Sequence, residues 1–203
     1  MTRTSARPRS RGRARAQDSP WQALLELAAS QEGIFSASQA KAANVSPQLL
    51  AKYLAGGRVD RVQRALYRVR FFPAGEHEDL VGVWLWSRRD GVFSHETALF
   101  LHELSDALPA RAHITLPRAR RERALRIPKG VAVHYADVDP GERSWVGPIP
   151  VTSVRRTLLD CFHGAVAAEL VAQASAQAAE RGLIATTEVI TAPIVSFWRR
   201  HPP

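Results

Sequence analysis

Hydrophobic positions along the chain fall into short groups whose spacing alternates between helical and strand-like. Trp21, Leu24, Leu25, Leu27 and Ala28 have helical spacing, with Ser19 placed to cap the helix and Pro20 in its first turn. Gln31-Glu32-Gly33 breaks that pattern, and Ile34 and Phe35 are expected to pack beneath the next pair of helices. From Ser36 to Gly57 the spacing predicts two short helices and a tight turn. Ser36 can cap the first helix, and Ala40 and Ala43 are small enough to let a second helix cross closely. Asn44 stands where the chain must reverse, because asparagine tolerates the left-handed region better than most residues. Val45 turns inward, Ser46 caps, Pro47 takes the first helical position, Leu50 and Leu54 form the apolar stripe, and Gly56-Gly57 stops the helix. This is the layout of a helix-turn-helix. Val59 and Val62, then Leu66 and Val69, predict two β segments around a turn near Gln63–Ala65, in the place of a wing.

Beyond residue 70 the pattern is mixed. Leu80, Val81, Trp84 and Leu85 predict a helix over 78–88, and 91–93 reads as a short strand. Ser94 is expected to cap a helix reaching about Leu104, with Ala98, Phe100 and Leu101 inward. Strands are predicted at 112–116 and 131–135, and 146–151, rich in proline and glycine, reads as an edge segment or connector. A helix capped by Thr152 or Ser153 runs through Cys161 with Leu158, Leu159 and Phe162 inward. Residues 165–181 form an alanine-rich helix ended by Gly182, and a last short helix starts at Thr186 or Thr187. The expected fold class is α+β: an N-terminal winged helix-turn-helix over 20–72, a mixed α/β domain over 73–193 and a tail over 194–203.

Charge sharpens this picture. The net charge is +9, and residues 1–70 hold 13 Lys/Arg against 4 Asp/Glu while 71–203 hold 15 of each. The whole excess lies around the helix-turn-helix, which favours a polyanion as partner. Residues 1–19 carry Arg3, Arg7, Arg9, Arg11, Arg13 and Arg15 with no large apolar side chain, so they are expected to be a disordered arm. That arm reads either as a DNA-following segment or as a solvated tail. Cys161 stands alone and no apolar run approaches the ~18 residues of a membrane span, so a cytoplasmic protein with no membrane association is expected.

The chain resembles the AbiEi-type antitoxins of type IV toxin–antitoxin systems. Residues 21–70 are similar to the family's winged helix in the Asn44-Val45-Ser46 turn, the Gly57 stop and the closing stretch Arg61 to Arg68. Further blocks at 91–102, with Ser94-His95-Glu96-Thr97-Ala98, at 113–117 and at 149–160 extend the resemblance to about residue 190. Ala65 departs from the glycine usual in the family at the wing turn, and a turn needing positive φ there would be strained. The resemblance implies a repressor that binds inverted repeats in its own promoter. It also implies that the C-terminal domain counteracts a nucleotidyltransferase toxin, with or without direct contact.

Candidate DNA-binding residues come from the helix geometry. Ser46, Gln48, Ala51 and Lys52 point away from the apolar stripe, and Gln48 can pair bidentately with adenine. Arg58, Arg61, Arg64 and Arg68 decorate the wing and are read as phosphate or minor-groove contacts. Arg118, Arg120, Arg121 and Arg123 form a second basic surface, open to reading as a DNA contact, a docking surface or a solvated loop.

No catalytic residue, metal or cofactor is expected. The chain lacks His-Glu-x-x-His, Gly-x-Ser-x-Gly, a Walker loop and a cysteine pair. Its seven histidines look scattered; His95 and His102 share one predicted helix, but a metal there needs ligands from elsewhere. Two alternatives stand beside the antitoxin: a winged-helix regulator without a toxin, and a relative of winged-helix restriction-endonuclease-like proteins. After Asp160 the only acidic residues are Glu169, Glu180 and Glu188, with no lysine, which gives the second alternative no nuclease centre.

Overall fold

The computed structural model describes residues 19–106, 108–164 and 166–191. The arginine-rich arm and the tail expected at the two ends lie outside the described residues, apart from Ser19. The chain is a mixed α/β protein that divides into two compact units, one up to Glu78 and one from Asp79 onward.

The first unit holds three helices and a three-stranded sheet. Helix α1 (Pro20–Ala29) starts as its sequence dictates: the Ser19 side chain accepts the Gln22 N–H and Pro20 occupies the first turn. Ile34 and Phe35 are buried as expected, and they also form a strand, β1 (Ile34–Ser36). Helix α2 (Ala37–Ala42) opens on a capping box in which Ser36 Oγ accepts the Gln39 N–H and Gln39 Oε1 accepts the Ser36 N–H. Helix α3 (Pro47–Ala55) comes next, then β2 (Val59–Gln63) and β3 (Leu66–Val69). The sheet order is β1-β3-β2, antiparallel throughout.

Leu24, Ala28, Phe35, Ala40, Val45, Leu50, Tyr53, Val59 and Val69 close into one core between these helices and the sheet. Tyr53 replaces Leu54 as the second buried residue of α3, because i, i+3 brings it over the same neighbours; Leu54 packs at the margin.

The second unit begins on α4 (Glu78–Trp86), which buries Val81, Trp84 and Leu85. Its sheet contains β4 (Val92–Phe93), β5 (Ala112–Leu116), β6 (Val131–Tyr135), β7 (Arg143–Val146) and β8 (Ile149–Thr152), in the order β6-β5-β4-β8-β7. The pairs β5–β6 and β4–β8 are parallel; β4–β5 and β7–β8 are antiparallel. Helices α5 (His95–Leu101), α6 (Val154–His163) and α7 (Ala168–Glu180) complete the unit. Leu99, Leu104, Leu158, Cys161, Val171, Ala174 and Ala178 are buried together between them.

Four expectations for this unit need correction. The segment 146–151 is only in part an edge or connector: Val146 ends the edge strand β7 and 147–148 turn the chain, but Ile149 to Val151 belong to β8, an interior strand whose four residues are all buried. Pro150 is accommodated there because pairing with β4 is confined to Phe93 and Val151, beside the missing N–H. Ser94 precedes α5 but makes no side-chain cap, since its hydroxyl bonds Thr115 Oγ1 at 2.7 Å instead. Phe100 and Leu159 are 41% and 42% exposed, so neither is a core residue. On α6 the buried line is Thr157, Leu158 and Cys161, and Leu159 lies about 100° round the helix from Leu158.

Candidate nucleic-acid interface

The α2–α3 turn is set by one residue of unusual conformation. Asn44 adopts φ 61°, and the chain reverses through Val45 N–H to Ala40 C=O at 2.9 Å. Val45 drops into the core at 2% exposure. Ser46 Oγ then accepts the Leu49 N–H at 3.2 Å, which leaves its own O–H as a donor toward solvent. At the other end Gly57 takes φ 66°, and Arg58 N–H closes back on Tyr53 C=O at 2.9 Å.

With Leu50 and Tyr53 inward, the opposite face of α3 presents Ser46, Gln48, Ala51 and Lys52, all exposed. Gln48, Ala51, Lys52 and Ala55 lie at i, i+3, i+4, i+7 and form one straight strip. The strip alternates polar Gln48 and Lys52 with small Ala51 and Ala55, so the helix backbone can approach another surface closely while two polar side chains reach out from it.

The β2–β3 hairpin carries its cations in three different environments. Arg61 and Arg64 are exposed near the tip, alongside Val62 and Gln63, and neither makes an ion pair among the described residues. A register shift between Arg61 and Gln63 places a bulge at Val62, which is 54% exposed. The turn keeps positive φ despite the alanine: Ala65 lies at φ 62°.

Arg58 rests on aromatic faces, 5.3 Å from the Trp21 ring and 5.6 Å from Tyr53, which are themselves packed edge-to-face. Arg68 is committed within its own unit, pairing with Glu78 at 2.8 Å and donating to Phe72 C=O at 3.0 Å. That geometry braces β3 and leaves Arg68 without the free reach expected of a phosphate contact. Arg70, which no sequence pattern singles out, forks onto the Asp60 carboxylate at 2.5 and 3.1 Å. The Arg70 hydrogen bond and charge, with Arg68 nearby, hold the Asp60 carboxyl below the usual carboxylate range.

The second basic surface is partly consumed as well. Arg118–Arg120 form a 3₁₀ turn; Arg120 pairs with Asp90, and the Arg118 N–H donates to Asp137 Oδ1 at 3.2 Å. Arg118, whose contact is through its backbone alone, remains exposed together with Arg121 and Arg123.

The histidines are less scattered than they look in sequence. His102 parts from His95: its Nε2–H donates to Thr152 C=O at 2.7 Å. His95 instead meets His113 of β5 and His134 of β6.

Residues 22–70, which carry α1–α3 and β1–β3, match a family model described as a transcriptional regulator, AbiEi antitoxin. In these residues the chain resembles the AbiEi antitoxin regulators. The blocks at 91–102, 113–117 and 149–160 lie outside the matched stretch. No curated protein matches the chain in sequence. Among solved structures, the crystal structure of the RV2827C protein from Mycobacterium tuberculosis is similar at 15% identity. The alignment spans 79% of this chain and 68% of that one, with a TM-score of 0.46. No helix among the described residues is long and apolar enough to cross a membrane.

Proposed function

We propose that α1–α3 and the β2–β3 hairpin are a winged helix-turn-helix that binds duplex DNA, and that the protein is a non-enzymatic transcriptional regulator of the AbiEi antitoxin kind. The observation that carries this reading is the exposed strip on α3, flanked by the free cations of the hairpin tip, inside the residues that match the family. Gln48 reads a base edge from the major groove, Ser46 at the helix start and Lys52 one turn beyond Gln48 hold phosphates on either side of it, and Ala51 lets the helix sit close. Arg61 and Arg64 take the flanking backbone or minor groove, and Arg58 positions the helix through its aromatic seat.

In this reading residues 20–72 are the DNA-binding module and 73–193 the domain that acts against a nucleotidyltransferase toxin. The module represses the protein's own operon at inverted repeats, in the cytoplasm. A nucleotidyltransferase reading frame beside the coding region supports the antitoxin half; its absence leaves a regulator without a toxin.

Binding assays on promoter and scrambled duplexes across a salt series test the DNA-binding half. Gln48→Ala is expected to cost about 1–3 kcal/mol on the cognate site and little on the scrambled one. Arg61→Ala should weaken both alike and lower the salt slope by about one. Unchanged affinity and slope in both variants overturns the assignment of α3 and the hairpin.

A further inference from the structure

The second unit gathers three imidazoles that nothing in the DNA-binding reading uses. His95 opens α5, His113 stands near the start of β5, and His134 lies on β6. In the sheet register Thr115 pairs with His134, and His113 shares the face of Thr115 two residues back, so both rings project from the same side. Ser94 N–H donates to His113 C=O at 3.1 Å, which holds the start of α5 beside β5, and the His95 ring stands 5.9 Å from the His113 ring on that side.

One nitrogen from each ring lies within 4.8 Å of the other two. His113 Nδ1 and His134 Nε2 are 3.1 Å apart, close to the ~3.3 Å edge that bonds of 2.0–2.1 Å give a tetrahedral zinc site. The His95 ring stacks on His134 with centroids 3.7 Å apart.

The outer contacts are those of a ligand set. Glu96 Oε2 lies 3.3 Å from His113 Nε2, so the carboxylate holds one ring nitrogen protonated and turns the other toward the cluster. Ser94 Oγ lies 2.9 Å from His95 Nδ1 and is fixed in turn by Thr115 Oγ1. His95 sits at φ 53°, the left-handed region, which is uncommon for a non-glycine residue but which histidine adopts more readily than most.

We infer that His95, His113 and His134 form a binding site for a divalent first-row metal of the zinc class, with Glu96 and Ser94 as its outer supports. An all-imidazole set suits such an ion better than calcium or magnesium, which take oxygen ligands. The metal ties the edge strand β6 to the β4–α5 junction. Three protein ligands also leave one tetrahedral position for water or an anionic group.

The test uses the full-length chain, stripped with a chelator and titrated with zinc chloride by calorimetry, with thermal unfolding followed in parallel. One saturable equivalent per chain and a raised unfolding midpoint are expected. His113→Gln and His134→Gln should each abolish that equivalent, and Glu96→Gln should weaken it by about 10–100-fold. His163→Gln, on an exposed ring outside the cluster, should leave it intact. Cobalt(II) absorption gives a second readout in any variant that is less stable: a strong tetrahedral band in the native chain, absent without His113 or His134. Zinc binding that is unsaturable, or unchanged in both His113→Gln and His134→Gln, overturns the site.

Discussion

At the tip of the hairpin an alanine holds a backbone conformation better suited to glycine. Ala65 at φ 62° incurs the steric cost of a left-handed L-residue, about 1–2 kcal/mol, partly offset by the smaller backbone entropy it loses on folding. Ala65→Gly is therefore expected to raise stability by roughly 0.5–1 kcal/mol, read as a higher urea midpoint with an unchanged slope; a lower midpoint contradicts the strain. Asn44 and Gly57 are legible from sequence because their residue types suit positive φ. Glu32, Arg88, Arg89 and Glu103 share that conformation at or just beyond helix ends, and nothing in their side chains advertises it. There the surrounding packing, not local preference, sets the backbone.

Among the elements, those built from consecutive residues are legible in the sequence, and those defined by a distant partner are not. Ser19, Ser36 and Ser46 mark three helix starts through local hydrogen bonds. The Ser36–Gln39 capping box is also written in the sequence, as a serine with glutamine three residues later. Strand β8 is disguised because its proline signals an edge, while its interior place comes from pairing with β4 and β7 on either side.

His102 makes a related connection, joining the end of α5 to β8. Burial pushes its pKa below the ordinary histidine value, against a smaller upward pull from the Thr152 hydrogen bond. The unfolded chain thus binds a proton more readily than the folded one, so this contribution is full above about pH 6.5 and is lost as pH falls toward the depressed value. Urea midpoints measured downward from pH 7 should fall for the native chain, and His102→Gln, which retains a donor, should fall less steeply. An identical slope in the two removes His102 from the account.

For the molecule as a whole, the charge division is the most informative sequence fact. The positive excess lies before residue 71, and the remainder is neutral. Residues 79–203 prepared alone should therefore leave duplex DNA unbound at physiological salt, whereas the full chain binds with a steep salt dependence. Retention of DNA by that fragment would point instead to Arg118, Arg121 and Arg123. The histidine cluster is illegible for the opposite reason. Its members sit at 95, 113 and 134, on a helix and two strands, and only the sheet register makes them neighbours.

Strand β1 has a consequence for the hairpin beside it. Ile34, Phe35 and Ser36 pair with Arg68, Tyr67 and Leu66, and Ala37 N–H reaches Ala65 C=O at 2.9 Å, so the returning strand is pinned up to its tip. In the proposed DNA-binding mode that pairing, with the core that α3 shares with β2 and β3, limits how far the hairpin backbone can shift from α3, like a caliper with a stiff jaw. A duplex that fits meets a surface already in shape and costs the protein little ordering on contact. One whose groove is too wide or too narrow must itself be deformed, which makes the stiffness of the DNA part of what is recognised.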